Sequence, residues 1–250
     1  MKAVCRFGFL IPLPVGVSAL VMANAALAQS ASGPAPTISI EPRISVSERF
    51  TNNVALASSG KKSELVTQIS PGISLRSNSG RLKGTLEYSL NEIVYGRGTS
   101  ARQSQNALSS SAVLEAVDNF AFIDFSGSIS QQSISAFGLQ STDGSSINGN
   151  STETSTFRLS PYLKGNLGGV ADYEARYGWT SSKSGASAAS DILTTDASLR
   201  LSGSVSGGPM GWSADTSSQK AKYSLGRTVQ SDRLGGSLSY AFTPQLNASL

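Results

Sequence analysis

The stretch ISPGISLRSNSGRLKGTLEYSL, residues 69–90, decides how the chain folds. Its first half puts Ile69, Ile73 and Leu75 on one parity and Ser70, Gly72, Ser74 and Arg76 on the other. Its second half alternates Leu82, Leu86, Tyr88 and Leu90 with Lys83, Thr85, Glu87 and Ser89. A period of two places successive side chains on opposite faces of a strand, one apolar and one polar. Ser77-Asn78-Ser79-Gly80 between the halves tolerate positive φ and can close a hairpin. In a soluble sandwich the apolar face of such a hairpin points inward. In a membrane barrel it points outward.

The same alternation runs outward in both directions. Ile38, Ile40, Ile44 and Val46 precede it. After it come Leu108 to Ala116, Ala121 to Ile129, Phe157 to Leu167, Tyr173 to Trp179, Leu193 to Val205, Trp212 with Ala214, and Leu234 to Phe242. Leu246, Ala248 and Leu250 begin an eleventh run. The connections alternate in length. Residues 77–81, 117–119, 166–169, 206–210 and 243–245 read as tight turns. Residues 51–63, 97–105, 132–153, 181–191 and 219–229 read as longer loops rich in Ser, Gly, Asn, Thr and charge. Tight turns at one end and long loops at the other are the habit of outer-membrane barrels, whose strands exceed the five or six residues usual in soluble sheets. Phe120 and Phe122, Tyr177 and Trp179, Trp212, and Tyr240 with Phe242 fall near run ends, where interfacial aromatic girdles sit.

The N-terminus agrees on compartment. Lys2 and Arg6 flank an apolar run, and Ala26-Leu27-Ala28 offers a small-x-small cleavage site. Residues 1–28 therefore read as a secretory signal peptide cut between Ala28 and Gln29, with 29–36 a Ser/Ala/Pro linker and 37–250 a β-barrel domain. The one cysteine, Cys5, leaves with the signal, so disulfides do not staple the mature chain. Without Lys2 and Arg6 the 20 basic residues fall to 18 against 16 acidic, too even a balance for a nucleic-acid surface. After residue 29 no stretch supplies the roughly 18 apolar residues a spanning helix needs. Any membrane crossing is by strands.

Little here can carry chemistry. With no histidine, Ser-His-Asp hydrolases are excluded; with no histidine and no cysteine after the signal, a zinc site is not expected, and no phosphate-binding loop motif occurs. Asp143-Gly-Ser-Ser-Ile-Asn-Gly-Asn150 clusters oxygen donors but offers one carboxylate, so it reads as a polar surface loop rather than a calcium site. Asp172 and Glu174 are a carboxylate pair, but alternate residues of one strand line one wall and do not form a pocket. No enzyme, cofactor or metal site is expected. The remaining candidate set is the charges opposite the apolar parity: Lys83, Glu87, Arg158, Lys164, Asp172, Glu174, Arg176 and Arg200. They are expected to face a lumen, either setting its selectivity or filling it as cross-strand ion pairs.

Three segments carry a family likeness: Glu41–Val54 (EPRISVSERFTNNV), Ser70–Leu90, and Phe122–Gly138 (FIDFSGSISQQSISAFG). Together they resemble the outer-membrane β-barrel proteins associated with PEP-CTERM protein-sorting and exopolysaccharide systems of Gram-negative bacteria, over most of residues 37–250. That family has no assigned reaction, so the resemblance implies place and neighbourhood: outer-membrane lipid, and exopolysaccharide or export machinery as partners. The expectation is an up-and-down antiparallel transmembrane β-barrel in the outer membrane, non-enzymatic, supporting export or surface attachment of exopolysaccharide or sorted proteins. A secreted Ser/Gly-rich β-sandwich or β-solenoid adhesin is the alternative. Outer-membrane barrels commonly end in an aromatic strand and have an even strand count. Ten runs, a partial eleventh and the ending Asn247-Ala-Ser-Leu250 therefore read as an N-terminal fragment of a larger barrel.

Two features resist the pattern. Pro42, Pro71 and Pro161 fall inside expected strands, where each should mark a bulge or a local break. Glu92 occupies the apolar parity while Ile93 and Tyr95 take the other, so either the strand has passed beyond the hydrocarbon or a bulge flips its register.

Overall fold

Alternation with no helical period gives strands throughout. The computed structural model describes residues 38–140, 144–147, 149–186, 189–205, 208–243 and 246–249. The signal peptide with its Ala28–Gln29 site, the 29–36 linker and Asp143 of the oxygen-donor loop lie outside the described residues. The strands are β1 (Ile38–Thr51), β2 (Glu64–Asn78), β3 (Leu82–Tyr95), β4 (Gln103–Val117), β5 (Ala121–Ser133), β6 (Ser151–Leu167), β7 (Ala171–Ser184), β8 (Ile192–Ser204), β9 (Met210–Tyr223), β10 (Thr228–Thr243) and β11 (Leu246–Ser249). They form one antiparallel meander in sequence order. The sheet does not close: β1 pairs only with β2, and β11 only with β10. Every substantial contact between strands is between hydrogen-bonded neighbours, so among the described residues no second sheet packs on either face.

Cross-strand partners share a face, so the register sorts every side chain. One row runs Leu75–Leu86–Ser110–Gly127–Phe157, and another Leu163–Ala175–Leu199–Thr216–Leu234. Both lie on the apolar face, which is uncovered: Ile40 is 61% exposed, Leu199 41% and Leu234 84%. The opposite face is polar from β1 to β10. Tyr177, Trp179, Tyr240 and Phe242 lie exposed on the apolar face as expected. Phe122 does not: it is buried on the polar face and stacks on Tyr162. Parity, rather than nearness to a turn, fixes where it points.

The rows are staggered relative to the turns. Leu82 opens β3 beside a tight turn, yet its row passes through Leu114 and Ile123 to Pro161, well inside β6. Asp172, second in β7, leads through Ser202 and Ser213 to Ser237, inside β10. The drift has the same sense across the sheet, which is the shear that tilted strands produce. It explains a misread loop. Residues 219–229 are mostly strand, closed by a turn at 224–227 in which Gly226 has φ +86° and Tyr223 N–H donates to Arg227 O at 2.8 Å. There Lys220, Lys222, Thr228 and Gln230 occupy the apolar parity, so alternation vanishes although the ladder continues.

Two of the three prolines break a ladder without bulging. Pairing of β2 with β3 skips Ser70 and Pro71, and pairing of β6 with β7 skips Ser160 and Pro161, with the register unchanged on both sides. Pro42 pairs normally with Ile73 on the edge strand β1, where a missing donor costs nothing. The register shifts lie elsewhere, between Glu115 and Val117 and between Ala241 and Thr243. Nor does a bulge flip β3 near Glu92: pairing runs unbroken to Ile93 with Gln103. Glu92 instead meets Arg102 and Ser104, and Asn106, Gln131 and Glu153 form a second polar group on the same face. These make a polar margin at the long-loop end.

Candidate functional site

All eight candidate charges fall on the polar face, and six of them converge on β6, β7 and β8. Lys164, Glu174 and Arg200 stand in one row that ends at Asp215, so the signs alternate across four strands. Direct cross-strand pairs of opposite charge contribute roughly 0.2–1 kcal/mol each. Lys83 and Glu87 stand apart on β3. Lys83 faces Asn78 and Val113, and Glu87 faces Ser74 and Ser109.

The centre of the cluster is Arg176, whose side chain is 24% exposed. Its guanidinium donates to Asp124 Oδ2 at 2.6 Å, to Glu174 Oε1 at 3.2 Å and to Ser160 Oγ at 3.4 Å. It also lies 4.0 Å from the Tyr162 ring centroid, and Lys164 Nζ lies 4.4 Å from that of Phe122. Phe122 and Tyr162 stack at 5.0 Å. Cations thus lie over both rings of a stacked pair, and Ser160 beneath is 1% exposed. Arg158 reaches Asp196 Oδ2 at 3.1 Å, across β7 from β6 to β8. The reach works because Gly178 lies between: a Cβ there would come within 2.4 Å of the Asp196 carboxylate. Asp172 accepts from Asn166 Nδ2 at 2.8 Å, so it faces its own turn and not a partner carboxylate. A pocket of about 420 Å³ opens here, lined by Lys164, Asp172, Glu174, Arg200 and Ser202 among others.

Asp124, Asp196, Asp215, Phe122 and Tyr162 were not among the expected site residues. Each is unremarkable in sequence and gains its partner through register with a strand one or two places away. Among the described residues no group of three or more acidic, cysteine or histidine side chains could hold a metal ion.

A second polar centre lies at the long-loop end. Glu64 is fully buried. Its Oε1 accepts from Leu65 N–H at 2.9 Å and Arg97 N–H at 2.6 Å; its Oε2 accepts from Thr99 N–H at 3.1 Å and from the Thr99 hydroxyl. It lies beyond the polar margin, outside the apolar belt. Burial pushes its carboxyl up, but the Thr99 hydroxyl and the N–H groups of Arg97, Thr99 and Leu65 outweigh this and lower it from 4.5 to about 2. Glu64 is a structural anion that ties the 96–102 loop to β2.

No family model matches the chain, and no curated protein matches it. Location and role therefore rest on the sheet itself and on the resemblance already described.

Proposed function

We propose that this chain is the wall of an integral outer-membrane β-barrel, non-enzymatic, with the apolar face toward lipid and the polar face toward a lumen. The observation that carries the reading is the inverted polarity of the single sheet. Ile40, Ile44, Leu199, Leu234 and Leu238 are exposed, while Arg158, Arg176, Asp124 and Asp196 pair on the other face. Fully burying one such aliphatic side chain is worth about 1.5–3 kcal/mol. A sheet with so many uncovered needs another phase against that face, and hydrocarbon provides it. Shear supports the same reading. A row that starts at Ile40 on β1 ends at Lys222 and Thr228 on β9 and β10, as a row does when tilted strands carry it out of a level apolar belt. In an eleven-strand meander β1 and β11 run in the same direction, so all-antiparallel closure takes a further strand between them. A soluble sandwich would need Leu86, Leu199 and Leu238 against a second sheet, and the contacts among the described residues supply none.

The role, by the family resemblance, is support of export or surface attachment of exopolysaccharide or of sorted proteins. The test is fractionation of cells making the full chain, with gel mobility before and after boiling. The expected result is outer-membrane recovery and a heat-modifiable band. A freely soluble periplasmic protein with one mobility would rule the reading out.

A further inference from the structure

Besides the Phe122–Tyr162 stack, the polar face carries an apolar patch on β2 and β3. Val66 on β2 and Ile93 and Tyr95 on β3 share that face with serines, glutamines and charges, yet they are 3%, 1% and 5% exposed. Two loop residues cover them: Val54, from the 52–63 loop, and Ile147, from the 134–150 loop. The second loop leaves β5, so it crosses the faces of β4 and β3 to reach them. Each step is hydrogen bonded. Gln105 Nε2 on β4 donates to Gly144 O at 3.0 Å, and the Tyr95 hydroxyl on β3 donates to Ser145 O at 3.0 Å. Arg49 on β1 donates to Ser145 Oγ, and Ile147 N–H donates to Val54 O at 3.1 Å. Arg49, Val66, Ile93, Tyr95 and Gln105 all point to the polar side by register. Ser145 and Ser146 are 2% and 8% exposed.

We infer that residues 144–147 of the loop after β5 lie in the lumen as its constriction, seated by Ile147 in an apolar socket on the wall. From β5 to β1 is four inter-strand spacings along the wall, roughly 19 Å, and residues 144–147 narrow the lumen within that arc. The neck is held as well: Asn150 Nδ2 donates to Ser135 O and Leu139 O at 3.1 Å each, and Ser135 N–H donates to Asn150 Oδ1 at 2.9 Å. The space left beside the loop is a cavity of about 600 Å³ whose walls include Gln103, Gln105, Ser146, Thr152 and Glu153. Apart from Glu153, whose carboxylate accepts from Asn106 N–H and Nδ2, these are uncharged hydrogen-bonding groups, suited to hydrated or hydroxylated solutes. The charged cluster on β6 to β8 lies toward the tight-turn end, so the narrowing and the charges are separated along the lumen.

The inference rests on the barrel reading, and the experiment separates the two. The full chain is inserted into planar phospholipid bilayers and its potassium chloride conductance recorded for wild type, Ile147→Asp and Tyr95→Phe. Ile147→Asp places a carboxylate in the socket; Tyr95→Phe removes one hydrogen bond and leaves the packing. The expected result is insertion of all three, a severalfold larger conductance for Ile147→Asp, and a smaller increase for Tyr95→Phe. Equal conductances in three inserted proteins, or no conductance in any of them, would overturn the constriction while leaving the barrel standing. Failure of wild type itself to insert overturns the barrel and the constriction together. The V54C/I147C pair guards against misfolding of the aspartate variant. Oxidised, it should form its disulfide and keep wild-type conductance; a severalfold drop on oxidation would mean the loop does not rest in the socket.

Discussion

Gly178 concentrates the residue-scale argument. An added methyl would meet both Asp196 oxygens, at 2.4 and 2.5 Å, and displace the carboxylate that holds Arg158. Gly178→Ala should therefore cost about 1–3 kcal/mol, the usual range for overpacking. Urea unfolding from lipid vesicles would measure it. Asp196→Ala in the same background should return part of the loss, and strict additivity of the two changes would show that they do not touch. Glu64 makes a different prediction. Its folded-state carboxyl is depressed below 4.5 to about 2, so its contribution is complete above about 4.5 and disappears as pH falls through about 2. Protonation first releases the N–H donors of Arg97 and Thr99. Pepsin should thus nick the 96–102 loop at pH 2 well before the strands, and Glu64→Gln should admit trypsin at Arg97 and Arg102 even at neutral pH. Equal trypsin resistance of wild type and variant would leave Glu64 with no anchoring role. Neither residue was legible beforehand. The sequence singles out neither Gly178 nor Glu64, because the groups they meet lie elsewhere in the chain.

At the scale of the strand, most of the fold was legible. Eleven runs were expected and eleven strands form, because alternation is a local property that needs no knowledge of partners. Reading failed where the environment is the same on both faces. The 219–229 segment is polar on both parities and looked like a loop; Ile93 and Tyr95 are apolar on the polar parity because a loop caps them. The prolines were expected to bulge or break, and register kept by neighbouring pairs turned two of them into simple gaps. The same alternation provides the sharpest test of which face meets lipid. Leu199 and Ser198 are neighbours on β8 facing opposite ways. In a lipid-facing setting Leu199→Arg should cost about 2–4 kcal/mol near mid-belt, and Ser198→Arg little. Folding titrations of both in phospholipid vesicles decide it. If Leu199→Arg were as stable as wild type, or more so, that face would be meeting water.

Across the whole molecule the two ends of the sheet differ, and that difference gives a topology. One end carries the longer connections that follow β1, β3, β5 and β7, with the 224–227 turn after β9, and the other the short connections that follow β2, β4, β6 and β8. Tryptic sites divide the same way. Lys61, Lys62 and Arg227 lie at the long-loop end, and Arg81, paired with Asp118 at 2.7 Å, lies at the short-turn end. Outer-membrane barrels turn their long loops outward, so trypsin added to intact cells should cut at the first group and spare Arg81. Fragments mapped by mass spectrometry would show it. Permeabilising the outer membrane then exposes Arg81, and the Arg81–Asp118 pair, more than 60% exposed on both sides, contributes too little to protect it. Cleavage at Arg81 in intact cells with the long loops spared would invert the orientation. Cleavage at both ends only after permeabilisation would place the chain in the periplasm, and the constriction, the lumen and the lipid-facing surface would have no membrane to serve.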